Sequence, residues 1–417
     1  MNQNELHKKK LNYYLEATAK QKGLVLLCCL IGLLTFVVGL FQGQSSRVWG
    51  SFLFNLMFFF SLSLGGVLFG GMQDVISALW ARPIKRLHES FSAFMSTAVI
   101  CFLVFFVCIR FKLLGAEEVY SWIKDPHFLH AFEGTGKTVW LQPDFMLIRD
   151  TFALLIMLWL VKWHMNKTLK RDHLLIDGHI KEAKAEAKES QEKLRYWSAP
   201  ILCAHSLCFS LICFDLTMSL APTWFSTLWG GWSFSILMQA LMAFILLLMF
   251  FLKKTELGKL FGRAQFLDIG KLLFGFTVFF AYLTFAHVLT YWYTNIPEET
   301  SYFLTRLEKP WLYFVIAAPV LSFIIPFFFL IPKASKITFA IAVPVSLIVL
   351  LAQWLNYYLI VMPEVITPKT LDFPWLELGG FVGFLGLFLF NFLAFAKKNP
   401  MVSLSDPLLI DSFSQSH

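Results

Sequence analysis

Two ionisable residues lie inside an apolar stretch near the middle of this 417-residue sequence. His205 and Asp215 both fall between Ser198 and Leu220, and an apolar run of about 20 residues is long enough to span a membrane as a helix. A charge at the centre of a bilayer costs at least about 2.5–3.5 kcal/mol, so such residues are functional candidates. A histidine and a carboxylate at two depths are suited to proton transfer.

Further polar residues lie in or beside other apolar runs. With a rise of about 1.5 Å per helical residue, His205 lies roughly 10 Å from one end of its run and Asp215 roughly 15 Å further along. The same measure sorts the candidates for a proton path into two groups, with Gln239 near the middle and Tyr282 in the seventh run. The group at the first depth is Asp74, His205, Asp268 and Lys271, and the group at the second is Asp215, His287, Tyr291, Asn295, Glu298, Gln353 and Asn356.

These residues allow two interpretations. Two half-channels that meet at mid-membrane would place ionisable groups at both depths in this way. Scattered hydrogen bonds between helices would give the same pattern without any proton path. Asp74, where its run ends, is either a group that takes up protons or a solvated residue at a helix end.

The composition places these residues in a membrane protein. The sequence is 57% hydrophobic and only 15% charged, whereas a soluble domain averages about 25% charged residues. Ten runs are long enough to span a bilayer, and we therefore predict an all-α integral membrane protein with about ten transmembrane helices. The runs lie near 23–41, 51–73, 93–113, 146–164, 198–220, 226–252, 270–293, 311–331, 337–361 and 376–396.

The lysines and arginines indicate how the chain is oriented. They cluster in alternate connections between the apolar runs, and the positive-inside rule places those connections and both termini in the cytoplasm. The prediction is a cytoplasmic arm over 1–22, a ten-span membrane domain over 23–396 and a cytoplasmic tail over 397–417. The connection at 165–197 is rich in alanine and charge, which predicts a solvated cytoplasmic helix. The net charge of +8 is then an orientation signal, and we expect no nucleic-acid partner.

Ligand sets for a metal, a haem or an iron–sulfur cluster are not recognisable. All seven cysteines lie in apolar runs and none forms a C-x-x-C pair, so no cluster ligation is predicted. His205 and His287 are the histidines that lie well inside spans, and they lie at opposite depths. Paired histidine ligands for haem b are therefore not expected.

The turn between the fifth and sixth runs carries two further expectations. The short A-P-T turn at 221–223 should lie at the outer face, with Trp224, Trp229 and Trp232 in the aromatic belt at the membrane boundary. Asp215 and His287 should face the interiors of the helix bundles rather than lipid, since each is costly to bury unless paired or hydrated. The partners we expect for at least one of them are Tyr291, Asn356 or bound water. Alternatively, Asp215 anchors the turn and His287 bonds a nearby carbonyl.

Three stretches of the sequence carry a resemblance to a known family. They are F-D-L-T-M-S-L-A-P-T-W-F-S-T-L-W-G at 214–230, D-I-G-K-L-L-F-G-F-T-V-F-F-A-Y and Y-W-Y-T-N-I-P-E-E-T within 268–300, and W-A-R-P-I-K-R-L-H-E after the second run. Together with the tail D-P-L-L-I-D-S-F they resemble the ActF-type membrane subunits of bacterial alternative complex III, in the NrfD/PsrC-like polytopic family. The sequence departs from that family at Thr223, where the family has His, and at His287-Val288, where it has Gln-Tyr.

The resemblance implies two four-helix bundles, spans two to five and six to nine, with flanking helices. It implies a subunit of a quinol:cytochrome c (or other acceptor) oxidoreductase in the bacterial cytoplasmic membrane. Its implied partners are a sister NrfD-like subunit that oxidises quinol, an iron–sulfur subunit, c-type cytochrome subunits, small membrane subunits and lipids. Haem c and iron–sulfur clusters would sit on those partners, and quinol or menaquinol is the one ligand left open for this chain. The chain would not be catalytic alone but would contribute to a proton path or to quinone-site architecture.

Two other classes of function are consistent with a polytopic chain. A structural scaffold would hold partner subunits without quinol or proton chemistry. A secondary transporter fits less well, since transporters carry matching helix interruptions in two halves. In this sequence Pro319, Pro326 and Pro344 interrupt spans of the second half without a matching set in the first.

Overall fold

The computed structural model describes residues 14–125, 128, 132–366 and 374–414 of the chain. These residues form helices and no β-strands, because in hydrocarbon an apolar run satisfies its own backbone hydrogen bonds as a helix. The α-helices are α1 (Ala19–Phe41), α2 (Ser45–Val75), α3 (Arg82–Glu89), α4 (Met95–Arg110), α5 (Ser121–Lys124), α6 (Lys137–Trp140), α7 (Pro143–Ile176), α8 (Ile180–Leu216), α9 (Trp229–Leu252), α10 (Arg263–Thr294), α11 (Pro297–Leu307), α12 (Trp311–Pro319), α13 (Ile325–Leu330), α14 (Lys333–Ile337), α15 (Phe339–Val365), α16 (Trp375–Lys398) and α17 (Pro407–Ser414).

Within the described ranges, nine helical segments are long and apolar enough to cross a membrane, which confirms an all-α integral membrane protein. Nine of the ten predicted spans fall on these segments. The predicted span at 146–164 falls instead on α7, a helix of 34 residues that is not among the nine. The charged residues Arg149, Asp150 and Lys162 interrupt its apolar surface. Helix α7 nevertheless packs along α8 as a neighbouring span would.

The long helices form two groups of four that share an interface. The first bundle contains α2, α4, α7 and α8, and the second contains α9, α10, the broken helix α12–α13 and α15. Helix α2 contacts α15 and α9 of the second bundle, and nearly all of its residues are buried. Helices α1 and α16 pack together on the outside. Gly32 and Gly383 bring those two backbones so close that a Cβ on either would clash with the other.

The two ends of the molecule differ in chemistry. We call one end of the molecule the basic end: here α2 and α7 finish, and α3 is packed between them. Residues 399–409 fold back onto this end. At the turn end, Tyr120, Trp122 and Lys137 cover the end of α8 and the turn at 221–223. The predicted tail at 397–417 is therefore docked against the bundle as far as the structure describes it, and does not extend as a free arm.

The predicted connector at 165–197 is helical, as expected, but it consists of two helices. Helix α7 continues to Ile176, and α8 runs without interruption from Ile180 through the connector into its apolar part. Lys170 and Glu186 pair across the two helices at 2.7 Å. Of the predicted arm at 1–22, residues 1–13 lie outside the described residues, and α1 begins after a capping box at Thr18.

The eighth predicted span is broken in its middle. Helix α12 ends at Pro319, a π-helical turn follows over Val320–Ile324, and α13 then continues to Leu330. Pro319 and Pro326 cannot donate backbone hydrogen bonds, which favours such a break. A π-turn inside a helix re-aims side chains and often marks a specific polar site.

Candidate functional site

The structure places the predicted proton-path residues in separate parts of the molecule. Asp74, His205 and Asp215 lie in the first bundle, and all three are buried. Gln239, Gln353 and Asn356 lie together in the core of the second bundle, while His287 and Tyr291 lie near its turn end. Asp268, Lys271, Tyr282 and Asn295 lie on the surface.

Helix α3 brings charged residues into the interior at the basic end. All eight of its residues are buried, although the sequence R-P-I-K-R-L-H-E is strongly charged. Pro83 lies in the first turn, where its missing N–H costs no helical hydrogen bond. Buried charges persist only when they are paired or hydrogen-bonded, so α3 must be matched by carboxylates on its neighbours.

Asp74 at the end of α2 supplies the first match. Its Oδ1 accepts from Arg82 Nη1 at 2.9 Å and also contacts Lys85 Nζ. Lys85 Nζ lies 3.6 Å from Glu89 Oε1, so its ammonium group bridges two carboxylates. Of the two interpretations of Asp74, a proton-uptake group or a solvated residue at a helix end, its burial and ion pairs exclude the second.

Helix α7 and the C-terminal segment supply the other matches. Arg86 Nη2 donates to Asp172 Oδ2 at 2.6 Å, and Arg171 Nη2 donates to Asp406 Oδ2 at 3.0 Å. Arg82 reaches Asp406 at 3.2 Å. Burial by itself raises the pKa of Asp406, but Arg171, Arg82 and Lys85 outweigh it and hold this pKa well below its usual range.

We name this set of residues the basic-end cluster. Its four carboxylates and four permanent cations balance in formal charge, which offsets the cost of removing them from water. The cluster consists of Asp74, Arg82, Lys85, Arg86, Glu89, His164, Arg171, Asp172 and Asp406.

His164 completes the cluster on the side that faces the bundle core. Its Nε2 lies 3.0 Å from Glu89 Oε1 and 4.0 Å from Asp74 Oδ2. These three residues offer ligand atoms within 4.8 Å of one another, the spacing of a metal site. Lys85 already places a cation between the two carboxylates, so the charge that would attract a metal ion is neutralised and we propose no metal there.

His205 lies further along the first bundle. Its Nδ1 lies 2.9 Å from the carbonyl oxygen of Ile201, and its Nε2 is buried without a hydrogen-bond partner among the described residues. Met157 and His164 of α7 lie near its ring. The imidazole is therefore positioned between the basic-end cluster and Asp215, which follows it by ten residues, about 15 Å along α8.

Asp215 is the centre of a second polar site, at the turn end. Trp140 Nε1 donates to its Oδ1 at 2.8 Å, and Arg149 donates to its Oδ2 from Nε at 2.9 Å and Nη2 at 2.7 Å. The guanidinium group also stacks on the Trp140 ring, 3.8 Å from its centre. Asp215 therefore has an ion-pair partner, and neither Tyr291 nor Asn356, the partners we predicted, contacts it.

Asp150 lies beside Asp215 and differs from it. It is fully buried on α7, and neither of its carboxylate oxygens has a hydrogen-bond partner among the described residues. The two carboxylates are close enough to interact directly. Because two adjacent buried carboxylates cannot both ionise without cost, and Arg149 binds only Asp215, the pair is suited to hold one proton.

The described residues between α4 and α7 shield this carboxylate pair from solvent. Tyr120 donates from its hydroxyl group to the carbonyl of Leu216 at 3.0 Å, and Lys137 donates to the carbonyl of Pro222 at 2.8 Å. Burial, and then the nearby charges of Asp150 and Asp215, raise the pKa of Tyr120 well above its usual range. Tyr120 is thus a neutral hydrogen-bond donor that fixes the end of α8.

The second bundle contains a chain of neutral polar groups. Gln353 Nε2 donates to Gln239 Oε1, and Gln239 Nε2 donates to Thr277 at 3.0 Å and to the carbonyl of Ser322 at 2.8 Å. Asn356 donates to Ser322 Oγ at 3.1 Å. Ser322 lies in the π-helical turn, so these amides hold the broken span in place. This arrangement matches the interpretation as interhelical hydrogen bonds.

His287 and Tyr291 line the turn end of the second bundle. His287 is buried, as expected, and its Nε2 lies 2.7 Å from Ser226 Oγ, while Tyr291 donates to the carbonyl of Phe225 at 2.7 Å. The hydrogen-bond partner of His287 is thus Ser226 and neither Tyr291 nor Asn356, while bound water as a partner stays a prediction. His287 and Tyr291 both fix the segment that follows the 221–223 turn.

The expected aromatic belt is also wrong for Trp224 and Trp229. Both are buried inside the chain, and Trp224 stacks on Tyr302 with ring centres 4.0 Å apart. The guanidinium group of Arg306 packs on the Tyr302 ring, 3.4 Å from its centre. These tryptophans pack the turn end against α11, because α11 folds over it and removes them from the lipid boundary.

Asp268, Lys271, Tyr282 and Asn295 do not line an interior path. Asp268 and Lys271 form a surface ion pair at 2.8 Å, and the Tyr282 side chain is 63% exposed on the outside of α10. Asn295 ends α10 in the left-handed conformation. Glu298 lies in α11, and its side chain falls outside the described residues.

Three buried carboxylates of the two charged sites were not predicted from the sequence. Glu89, Asp150 and Asp172 are deeply buried, but they lie in or next to charged segments, which are usually exposed to solvent. The signal that was available for Asp150 was its position in a predicted span, four residues after the start of the run at 146–164.

Comparison of the sequence with models of protein families and with curated proteins finds no match.

Proposed function

We propose that this chain is a membrane subunit of a quinol-oxidising respiratory complex and carries a proton path through its first bundle. The resemblance of residues 214–230 and 268–300 to ActF-type subunits supports the complex. The burial of ionisable residues along α7 and α8 supports the proton path. In this proposal both termini lie in the cytoplasm of a bacterium, and the turn end faces outward.

One observation carries the proposed path. Ionisable groups are buried at both ends of the same helix pair, with His205 between them. Along α7 the distance from Asp150 to His164 is 14 residues, or about 21 Å. That length is most of the roughly 30 Å of a hydrocarbon core, so these groups reach from one side of the membrane towards the other.

Buried polar atoms without a hydrogen-bond partner among the described residues support the same path. They include Asp74 Oδ2, Ser198 Oγ, His205 Nε2 and both oxygens of Asp150, all on helices of the first bundle. Buried polar atoms are nearly always hydrogen-bonded, and ordered water satisfies those that the protein does not. Water between these groups would complete a hydrogen-bonded chain that can pass protons.

The two ends of the path would have different tasks. At the turn end, Asp150 would hold a proton beside Asp215, which is paired with Arg149. In the middle, His205 accepts a proton on Nε2 and releases it. At the basic end, Glu89 and His164 would pass the proton between His205 and the surroundings of the basic-end cluster. The chain itself transfers no electrons, since the haem and iron–sulfur groups would belong to partner subunits.

Asp150→Asn is the sharpest test of the path, because it removes the proton-binding group without breaking an ion pair. In the purified complex, reconstituted into vesicles, we expect proton release per quinol oxidised to fall, and turnover to fall about tenfold or more. The control is Asp144→Asn near the same end, where Asp144 is a 54% exposed partner of Arg110.

The proton path is wrong if the assembled Asp150→Asn and Asp215→Asn complexes both oxidise quinol with unchanged rate and proton release. The complex itself is tested separately by purification in mild detergent. Multihaem cytochrome and iron–sulfur subunits should co-purify with the chain. Isolation of the chain as a stable lone protein would contradict this part of the proposal.

A scaffold without proton chemistry is the second candidate, and the basic-end cluster favours it. Its charges balance, and its main contacts join α3, α7 and the C-terminal segment. Such a network can serve solely to fix a docking surface. A scaffold role predicts that Asp150→Asn leaves activity unchanged, whereas deletion of the chain abolishes assembly.

A further inference from the structure

An open groove runs between α7 and α8 on the outside of the first bundle, near the basic end. Its volume is about 460 Å³, and its walls are mostly tryptophan and aliphatic side chains, with two lysines at one mouth. Trp159 is 65% exposed and Trp197 is 49% exposed, so the groove opens to the surroundings of the bundle and not to its core.

Each helix contributes the same pair of side chains to the groove. Trp163 and Lys167 lie four residues apart on α7, and Lys193 and Trp197 lie four residues apart on α8. Residues at this spacing lie on the same face of a helix, one turn apart. The two helices run in opposite directions, so both lysines lie on the same side of the two tryptophans.

The tryptophans mark the edge of the hydrocarbon region. Trp163 is next to the end of the predicted span at 146–164, and Trp197 immediately precedes the predicted span at 198–220. Tryptophan is enriched at this depth because its ring is apolar and its N–H is polar. Each lysine lies about 6 Å further out along its helix, which is the level of lipid headgroups.

The mouth of the groove is positively charged overall. Lys193 pairs with Glu189 in an exposed i,i+4 ion pair, and Glu189 also interacts with Lys167 and Lys170. Glu186 pairs with Lys170 at 2.7 Å, so two carboxylates face three lysines and one positive charge is left over. Exposed ion pairs of this type contribute little to stability, so an anion of stronger charge can replace the glutamate.

We infer that this groove binds one anionic phospholipid. Its phosphate would lie between Lys167 and Lys193, at the level of the headgroups, and an acyl chain would follow Trp159 and Ala204 into the membrane. Basic pockets between transmembrane helices are the usual binding sites of anionic lipid headgroups. This inference is independent of the proposed proton path.

Native mass spectrometry of the full-length chain, delipidated in detergent together with any subunits that purify with it, tests the site. We expect phosphatidylglycerol to bind at one site about tenfold or more tighter than phosphatidylcholine, since each lysine contributes to anionic lipid binding. Lys167→Gln/Lys193→Gln should abolish this preference. The control is Lys397→Gln/Lys398→Gln, which removes two exposed lysines from the same end.

A second variant tests the apolar wall without changing charge. Ala204→Phe fills the groove, so it should weaken phosphatidylglycerol binding although both lysines remain. The inference is wrong if the two lipids bind equally, or if the double lysine variant binds phosphatidylglycerol as the wild type does. If inorganic phosphate competes fully with the lipid, the site recognises a free phosphate and the lipid assignment fails.

Discussion

Arg149 binds Asp215 with two nitrogen atoms that both contact one carboxylate oxygen, Nε at 2.9 Å and Nη2 at 2.7 Å from Oδ2. Asp215 is buried completely, and the Arg149 side chain is largely buried with it. The neighbouring Asp150 has no such cation. The Arg149–Asp215 ion pair therefore stabilises the fold in a way that Asp150 does not. Variants of Arg149 and of Asp150 can thus distinguish a structural role from proton binding.

Arg149→Gln should destabilise the chain strongly, because it leaves the carboxylate of Asp215 buried without a cation. The expected loss is about 3–5 kcal/mol in the free energy of unfolding, measured by denaturant unfolding in detergent micelles. Adding Asp215→Asn to this variant should recover much of the loss. Arg110→Gln, which breaks the exposed pair with Asp144, should cost only about 0–1 kcal/mol. Equal losses in the two arginine variants would contradict the burial of the Asp215 site.

The depressed pKa of Asp406 predicts a loss of stability in acid. Its contribution should be fully present above about pH 3.9, the usual pKa of aspartate. It should disappear as the pH falls from there towards the lower pKa of the folded state, since Asp406 must then be protonated. In thermal unfolding in detergent, the unfolding midpoint of Asp406→Asn should lie below that of the wild type at pH 7. The difference between the two midpoints should become smaller in acid. Glu192→Gln, at an exposed position, should leave both curves unchanged. A constant gap at all pH values would show that Asp406 is not ionised in the folded chain.

Gly66→Ala should displace α3, because a Cβ at this position would clash with the carbonyl oxygen of His88. Overpacking against a backbone atom typically costs about 1–3 kcal/mol, and we expect that loss in the free energy of unfolding. Gly231→Ala is the control: no atom lies within 4 Å of its added Cβ, and alanine favours a helix by about 0.5–1 kcal/mol over glycine. If both alanine variants are as stable as the wild type, α3 is not packed on α2 as described.

Gln239→Leu should reduce stability without changing proton release. A carboxamide side chain does not titrate near neutral pH, and Gln239 is hydrogen-bonded to Gln353, Thr277 and the Ser322 carbonyl. Its loss leaves buried partners unsatisfied, at a cost of about 1–3 kcal/mol. Gln142→Leu, at an exposed position, should change stability by no more than about 0.5 kcal/mol. If Gln239→Leu removes proton release while stability is kept, the path runs through the second bundle.

Cysteine labelling tests the proposed orientation. Thr223 is exposed at the turn end, and Lys188 is exposed on the connector beyond the basic end. In intact spheroplasts, an impermeant thiol reagent should label Thr223→Cys and should not label Lys188→Cys. After lysis both should react. Labelling of Lys188→Cys alone before lysis would reverse the orientation of the whole chain.

The sequence alone determined the class of protein and most of its spans. In hydrocarbon, the only regular structures that can span the membrane are a helix and a closed barrel. An apolar run of about 20 residues can be recognised from the sequence without any tertiary information. The burial of His205, Asp215 and Gln239 followed from the same reasoning. The burial of the charged helix at 82–89 could not be predicted in this way, since R-P-I-K-R-L-H-E has the composition of an exposed loop.

Tertiary structure decided which buried polar residues meet. Asp74 and Asp406 are 332 positions apart, yet Arg82 contacts both, and no local pattern reports such an encounter. The same holds for Asp150, whose neighbour Asp215 lies on the next helix, and for Trp224, which α11 covers. Depth along a helix can be read from residue spacing, but the direction a side chain faces and the charge it meets depend on how the helices pack.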